Sequence, residues 1–574
     1  MNGRSSSKEL IVLLIVLVVL GLQISSRSKL KTFEKQLQTL ENSFSNSPIK
    51  ISSTSNAVVN ESNEGDWLVW GLAVEPKTLN LISVTSDMYA RWMMFENVFE
   101  PLMVYDFDEV KLKPMLAKSY DFSPDGLELT FTLRDDINFS DGVPITADDV
   151  LFTYHTIINP KIDAADLAQL FIEVKDVQKI DDKTVKFYFH RPYFKALEIA
   201  SFWVIGIFPK HIYEFADAEE FNKRISNHIG SGPYVLEKWD TGDKAVFVRN
   251  ENYWGTKPKI KKLIYKFIVN DKARIQAIRS GDVDMIIPAP EQYVDVVKDK
   301  SFTEKYKCLA YWSPGTPYIY LGWNERTPYF ADRRVRLAMT QMLDRKGILQ
   351  HILKGSGKEV TGPFYVFGKD NDPNIKAWPY DVNEARRLLD EAGWKDTDGD
   401  GIRDKDGVAF KFKFSYSSDY ILYQNIANVI KDSAAKIGVE VIADPIEWSI
   451  LITRLPEHKF DAIIMGWGGD IVEDNYQIFH SSQIDNRGAN YVCFKNDEAD
   501  RMLEEIRRTI DDEKRIELSR KFHSLVHYEQ PYTFLFTRPT YRIIDPRFEN
   551  VVVHKLGLKP QEWFVPKEKQ RYKD

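Results

Sequence analysis

The chain has 574 residues, 43% of them hydrophobic and 28% charged, a balance that excludes a wholly disordered protein and allows several domains. A formal net charge of −7 gives no electrostatic reason to expect a nucleic acid partner. Cys308 and Cys493 lack CxxC spacing, so there is no zinc-ribbon or thioredoxin-type signature.

At the N-terminus, Arg4 and Lys8 precede an apolar run from Leu10 to Leu22. The run is shorter than the roughly 20 residues a spanning helix needs and matches the apolar core of a secretory signal. No cysteine follows it, which excludes lipoprotein processing, and Ser25-Ser26-Arg27 is a poor cleavage site. Residues 9–26 are therefore expected to stay as an uncleaved signal anchor, with the positive flank in the cytoplasm and the body across the inner membrane; a cleaved signal is the alternative. Leu30, Phe33, Leu37, Leu40 and Phe44 then step by three and four, as in a short heptad seam. Residues 45–64 are Ser- and Asn-rich without a period, which makes 27–65 a helical stalk and linker.

From Asp66 the pattern becomes that of a folded body. Asp66 to Val74 is a buried strand by its apolar run. Ser86 to Phe99 carries Met88, Trp92, Phe95 and Phe99 at helical spacing, so these side chains are expected in the core. Leu127 to Leu133 and Thr184 to Phe189 alternate as half-exposed strands do. Between them Thr146 is an N-cap with Asp149 as its capping-box partner, opening a helix that runs through Ile158 and stops before Pro160. Asp396 to Asp406 has acids at calcium-loop positions, but Gly407 stands where a bidentate Glu belongs; a solvated hairpin turn without metal is expected. Strand and helix then alternate over Ala409 to Tyr416, Ile421 to Ile437, Val439 to Ile442 and Glu447 to Arg454, which favours parallel or mixed sheet. In Phe460 to Phe479 an apolar run, Ala462 to Met465, breaks at Gly466-Trp467-Gly468-Gly469 and delivers Asp470. Locally this reads either as a tight turn or as an aromatic wall with one carboxylate for a ligand ammonium.

Several long stretches in order resemble the family 5 extracytoplasmic solute-binding proteins, the receptors for peptide, nickel and related ABC importers. They are Tyr120 to Val150, Ile229 to Trp254, Ala277 to Asp284, Phe330 to Asp344 and Asp381 to Trp394. The resemblance implies an α/β fold of the periplasmic-binding-protein type, with two hinged lobes, an extra domain inserted in the first lobe and the ligand between the lobes. By analogy domain I is 66–100, 208–320 and 525–560, domain II is 101–207 and domain III is 321–524. Met465 to Asp470 is similar to the loop whose Asp receives the α-ammonium in peptide-binding members, so the resemblance implies Asp470, Trp467, Gly468 and Gly469 as ligand contacts. Dipeptide-specific members place an Arg for the ligand carboxylate on the stretch matching Ser415 to Tyr423; here that stretch reads SYSSDYILY, with no Arg, and its Tyr416, Tyr420 and Tyr423 read equally as cleft wall or core, Tyr420 being the site candidate.

The histidines are scattered without ligand spacing, and there is no GxSxG, HExxH or GxxxxGK[ST] pattern. The expected function is thus a receptor on the extracytoplasmic face, without cofactor. It would capture a peptide and pass it to ABC permease subunits served by a separate ATPase. A tethered sensor on the same fold, a binder of a non-peptide solute and a peptidase are the alternatives.

Overall fold

The structure, a computed structural model, describes residues 63–572 apart from 204, 225–228, 486 and 487. The expected anchor and the stalk up to residue 62 lie outside them. Among the described residues no helix is long and apolar enough to cross a membrane.

Three sheets organise the body. The first strand, Trp67–Leu72, is apolar along its length and buried almost throughout, as a strand covered on both faces must be. It lies in the middle of a seven-stranded sheet, parallel to Lys262–Phe267 on one side and to Met285–Ile286 on the other. Thr540–Ile544 and then Lys307–Tyr311 close one edge, antiparallel. Lys244–Arg249 and Tyr234–Asp240 close the other. Arg547 pins this sheet: its guanidinium reaches Asp66 Oδ2 at 3.1 Å and Asp284 Oδ2 at 2.7 Å, all three side chains being buried. Buried charges persist when paired and hydrogen-bonded in this way.

A four-stranded antiparallel sheet, Ala117–Phe122, Glu128–Leu133, Thr184–Phe189 and Val174–Asp181 in spatial order, sits beside the first. Its two middle strands show the strict in-out burial that their sequences call for. Leu129, Phe131 and Phe187 from this sheet share one core with Leu68, Phe99 and Phe208, so the two sheets form a single lobe. The helix Ala147–Ile158 carries the expected capping box, with Thr146 N donating to Asp149 Oδ2 at 2.9 Å.

The third sheet has six strands, in the order Lys358–Glu359, Tyr532–Thr537, Tyr318–Trp323, Ala462–Trp467, Lys411–Ser417 and Glu440–Ile446. The last two are parallel and joined through the helix Ile421–Ala435, the crossover that parallel pairing requires. This sheet has its own cores, around Trp323, Phe412 and Ile464 on one face and Tyr320, Phe479 and Tyr532 on the other. It forms a second lobe.

One expectation fails in detail. The helix expected over Ser86 to Phe99 is only Met88–Met94. Asp87 caps its start, accepting from Tyr89 N and Ala90 N, and Glu96 ends the run by turning to the left-handed region, φ 59°. Phe99 is buried in the core, but Met88 is 53% exposed, and Trp92 and Phe95 are only partly buried.

Candidate ligand-binding site

Two short links carry the chain between the lobes, residues 312–317 and 538–539. They run side by side, because Tyr311 pairs with Thr540 at the end of one sheet and Tyr318 with Thr537 at the start of the other. Thr537 Oγ1 donates to Pro317 O at 2.8 Å and fastens the two strands where the links begin. A cavity of about 720 Å³ opens at this junction, within the usual range of ligand pockets. First-lobe side chains, both links and Ile319 and Ile471 of the second lobe line it.

The cavity wall is aromatic. Trp70 and Trp92 stack with ring centres 5.6 Å apart, and Phe95 continues the surface. Trp92 and Phe95, expected in the core, pack against it with part of their surface and line the cavity with the rest. Four charged side chains also line the cavity: Arg91, Glu96, Arg538 and Arg542. Glu96 sits in the left-handed backbone region without a side-chain ion pair among the described residues, and burial pushes its carboxyl above the ordinary range. A non-glycine residue there costs about 1–3 kcal/mol, and such residues cluster at ligand sites. Burial also lowers Arg542 from the usual guanidinium value.

The residues singled out in the sequence surround this junction without lining the cavity, while Ile471, next to Asp470, does. Asp470 is 31% exposed and forms an ion pair with Lys195 of the first lobe. Lys195 Nζ also lies 2.9 Å from Glu198 Oε1, and Glu198 Oε2 accepts from the Tyr105 hydroxyl at 2.7 Å. Tyr105 is itself cavity wall. Burial alone would lower Lys195, but the two carboxylates reverse this and hold its ammonium well above the ordinary value. Asp470 Oδ1 accepts from Ile471 N at 2.8 Å, and Asp470 N donates to Glu473 Oε1 at 2.9 Å. Burial, with the charge of Asp470, pushes the Glu473 carboxyl up to about 8.

Trp467 lies in a run of stacked rings in the second lobe, 5.8 Å from Tyr491 on one side and 6.4 Å from Tyr320 on the other. Its Nε1 donates to the Tyr532 hydroxyl at 3.3 Å. Gly469 presses on the link 312–317: a side chain there would overlap the Pro314 carbonyl oxygen and come within 3.0 Å of Thr316 O. Gly468 faces open space. Tyr420 stands at the start of the helix Ile421–Ala435, 52% exposed, with its ring 5.5 Å from Tyr423. Tyr416 is core. Residues 396–403 form a loop closed by the Lys395–Asp404 bridge, followed by a hairpin of Asp404–Lys405 and Val408–Ala409, and carboxylate oxygens of Asp396, Asp398 and Asp404 lie within 4.8 Å of one another. Asp396 accepts from Gly399 N at 2.7 Å and from Gly401 N at 3.0 Å, so its carboxylate folds the turn.

A second set of contacts joins the lobes. Arg507, from the helix Asp497–Arg508, donates to Glu173 Oε1 of the first lobe and to Asp474 Oδ2, each at 3.0 Å. The Tyr193 hydroxyl reaches the same Asp474 oxygen at 2.9 Å, and Phe194 N donates to Arg507 O at 3.1 Å. Burial alone would raise Glu173, yet Arg191 and Arg507 hold it below the ordinary carboxylate range. The first lobe thus meets the Asp470 loop, the stretch after it and Arg507 through residues 193–195 and Glu173.

Sequence reasoning missed the arginines of the cavity. A signal existed: Arg542 interrupts an otherwise apolar strand, TYRII, and Arg538-Pro539 breaks the run before it. A charge on a buried strand requires a partner, and a sequence does not name one.

These features agree with what known proteins show. The pattern described as bacterial extracellular solute-binding proteins, family 5 Middle, matches residues 111–489. The oligopeptide-binding protein AppA of Bacillus subtilis (strain 168) is 31% identical over 562 residues, 95% of this chain and 96% of that one. The nickel-binding periplasmic protein of Escherichia coli (strain K12) is 27% identical over 469 residues, covering 81% and 87%. The structure of the Bacillus subtilis AppA in complex with a nonapeptide superposes with a TM-score of 0.76 at 30% identity, over 88% of this chain and 99% of that one. With the profile match over most of the body and this likeness along almost the whole length, the chain belongs to the family 5 bacterial extracellular solute-binding proteins, two-lobed proteins of mixed α/β fold.

Proposed function

We propose that the protein is the substrate-binding receptor of an ABC importer, taking a peptide between its lobes and delivering it to membrane permease subunits whose ATPase is a separate chain. The observation that carries this reading is the near full-length likeness to an oligopeptide-binding protein whose structure holds a nonapeptide, with a cavity of about 720 Å³ at the junction of the lobes. The links 312–317 and 538–539 act as the hinge, and the lobes close on the ligand by rotation about them. Asp470 receives the peptide's ammonium on its exposed side while remaining paired with Lys195. Trp467, Gly468 and Gly469 shape the loop that carries it, and Tyr420 guards the outer edge of the cleft. No chemistry beyond binding is assigned, in keeping with a family of binding proteins. Residues 9–26 act as an uncleaved anchor, holding the body at the extracytoplasmic face of the membrane.

The test is mass spectrometry of the small molecules released when the purified full-length protein is denatured, with N-terminal sequencing of the same sample. Mixed peptides of one length, together with a retained residue 10–22 stretch, are the expected result. A single non-peptide solute, such as a nickel chelate, would keep the receptor and replace its ligand; a mature start near residue 27–30 would remove the anchor.

A further inference from the structure

Arg542 is the anomaly of the first lobe. It is 8% exposed, and every other buried arginine among the described residues has a carboxylate partner. Arg542 has none. Its Nη1 donates to Tyr541 O at 2.9 Å, and its guanidinium lies 5.7 Å from the centre of each of the stacked rings Trp70 and Trp92. Rings and one carbonyl partly replace water around a guanidinium, but they leave its charge uncompensated, and an uncompensated buried charge is costly. The group that would compensate it has to come through the cavity, because Arg542 and both tryptophans line that cavity.

Arg538 strengthens the case. It too lines the cavity and has no ion-pair partner among the described residues. It stands on the link beside the hinge, and its charge acts on the phenols of Tyr423 and Tyr541. Burial pushes Tyr423 up to about 12, with Arg538 pulling the other way. Arg538 therefore brings a cation toward the Ser415 to Tyr423 stretch, which has none of its own. The carboxylate that also lines the cavity does not neutralise either arginine: the charges that act on Glu96 are those of Lys559 and Lys113. Planar guanidinium groups bind carboxylates in two-pronged fashion.

We propose that Arg542 and Arg538 form the subsite for the terminal carboxylate of the bound peptide, with the stacked Trp70 and Trp92 as its wall. This rests on the reading of the protein as a peptide receptor. It adds that the ligand enters carboxyl end first into the cavity beside the hinge, with one side of the carboxylate fixed to a strand of the first lobe and the other to a link. Binding then draws the link toward the first lobe and favours closure.

The experiment measures affinity by calorimetry for two pools of short synthetic peptides lacking Asp and Glu, one with free carboxyl ends and one as C-terminal amides. The full-length protein is compared with Arg542→Met and Arg538→Gln. The free acids are expected to bind at least about tenfold more tightly than the amides, and each variant should erase most of that difference. Arg542→Met should also melt at a higher temperature than the wild type without ligand, because it removes an uncompensated buried charge while keeping the apolar contacts; a purely structural arginine would give a lower one. Equal binding of acids and amides by the wild type would overturn the subsite and leave the peptide receptor standing. Binding of neither pool would overturn both. A third pool, C-terminal amides that carry Asp and Glu, is expected to bind as weakly as the other amides; affinity equal to that of the free acids would show that the arginines read an acidic side chain and would sink the terminal-carboxylate assignment.

Discussion

Asp470 stands between two cations. The present one is the Lys195 ammonium, buried and shared with Glu198. The other, on the proposed reading, is the ammonium of a ligand. An ammonium arriving from the cleft has to share Asp470 or displace Lys195, and the 31% exposure of the aspartate leaves room for the first. Asp470→Asn should therefore weaken binding of free-amine peptides by about tenfold or more, the loss of a charge-assisted pair, while N-acetylated peptides bind variant and wild type alike. If the wild type already fails to distinguish acetylated from free peptides, Asp470 serves Lys195 alone. The aspartate, its glycines and Trp467 were legible in the sequence because they are contiguous. Lys195 was not, since it is 275 residues away and only folding brings it there. The same holds for Arg542, whose solitude is a property of what surrounds it.

At the scale of elements, the strand Ala462–Trp467 and its loop show how a glycine pair divides its work. Gly469 touches the link 312–317, whereas Gly468 touches nothing. Neither has a positive φ, so steric room alone separates them. Gly469→Ala should cost about 1–3 kcal/mol in denaturant unfolding, the usual range for forcing a methyl into a packed site, and Gly468→Ala should stay within about 0.5 kcal/mol. Equal costs would mean the close approach to the link has no energetic weight. Elements with strong local signals came out as read: the capped helix Ala147–Ile158, the alternating strands Glu128–Leu133 and Thr184–Phe189, and the helix Ile421–Ala435. The helix at Met88–Met94 came out short, because apolar spacing says nothing about where the backbone will turn left-handed. Trp92 packs against the core and lines the cavity too, and the second role was not legible because an aromatic stripe looks alike whether it faces protein or a ligand.

Over the whole molecule, two links join the lobes, and the contacts of Glu173 and residues 193–195 tie them together a second time. Arg507 bonds Glu173 across the lobes and offers its carbonyl to Phe194 N. Removing one partner of a buried pair costs about 3–5 kcal/mol, and here part of that cost is spared when the lobes separate. Arg507→Ala should thus enlarge the radius of gyration of the ligand-free protein in small-angle X-ray scattering, and ligand should restore it. An unchanged radius would show that these contacts do not set the closure equilibrium.

By itself the sequence determined what depends on neighbours along the chain. It specified the alternation that makes strands, the caps that start helices, the βαβ spacing of the second lobe, and the ordered motifs that identify the family. Tertiary structure decided which charges meet. Lys195 closes on Asp470, Arg507 spans to Glu173, and Arg542 is left without a carboxylate partner among the described residues, at the wall of a cavity. Periodicity is local, set by the pitch of a helix or the pleat of a strand, and a single sequence shows it directly. Pairing between charges is set by distance in space and by the exclusion of water, and both exist only once the two lobes have folded and met.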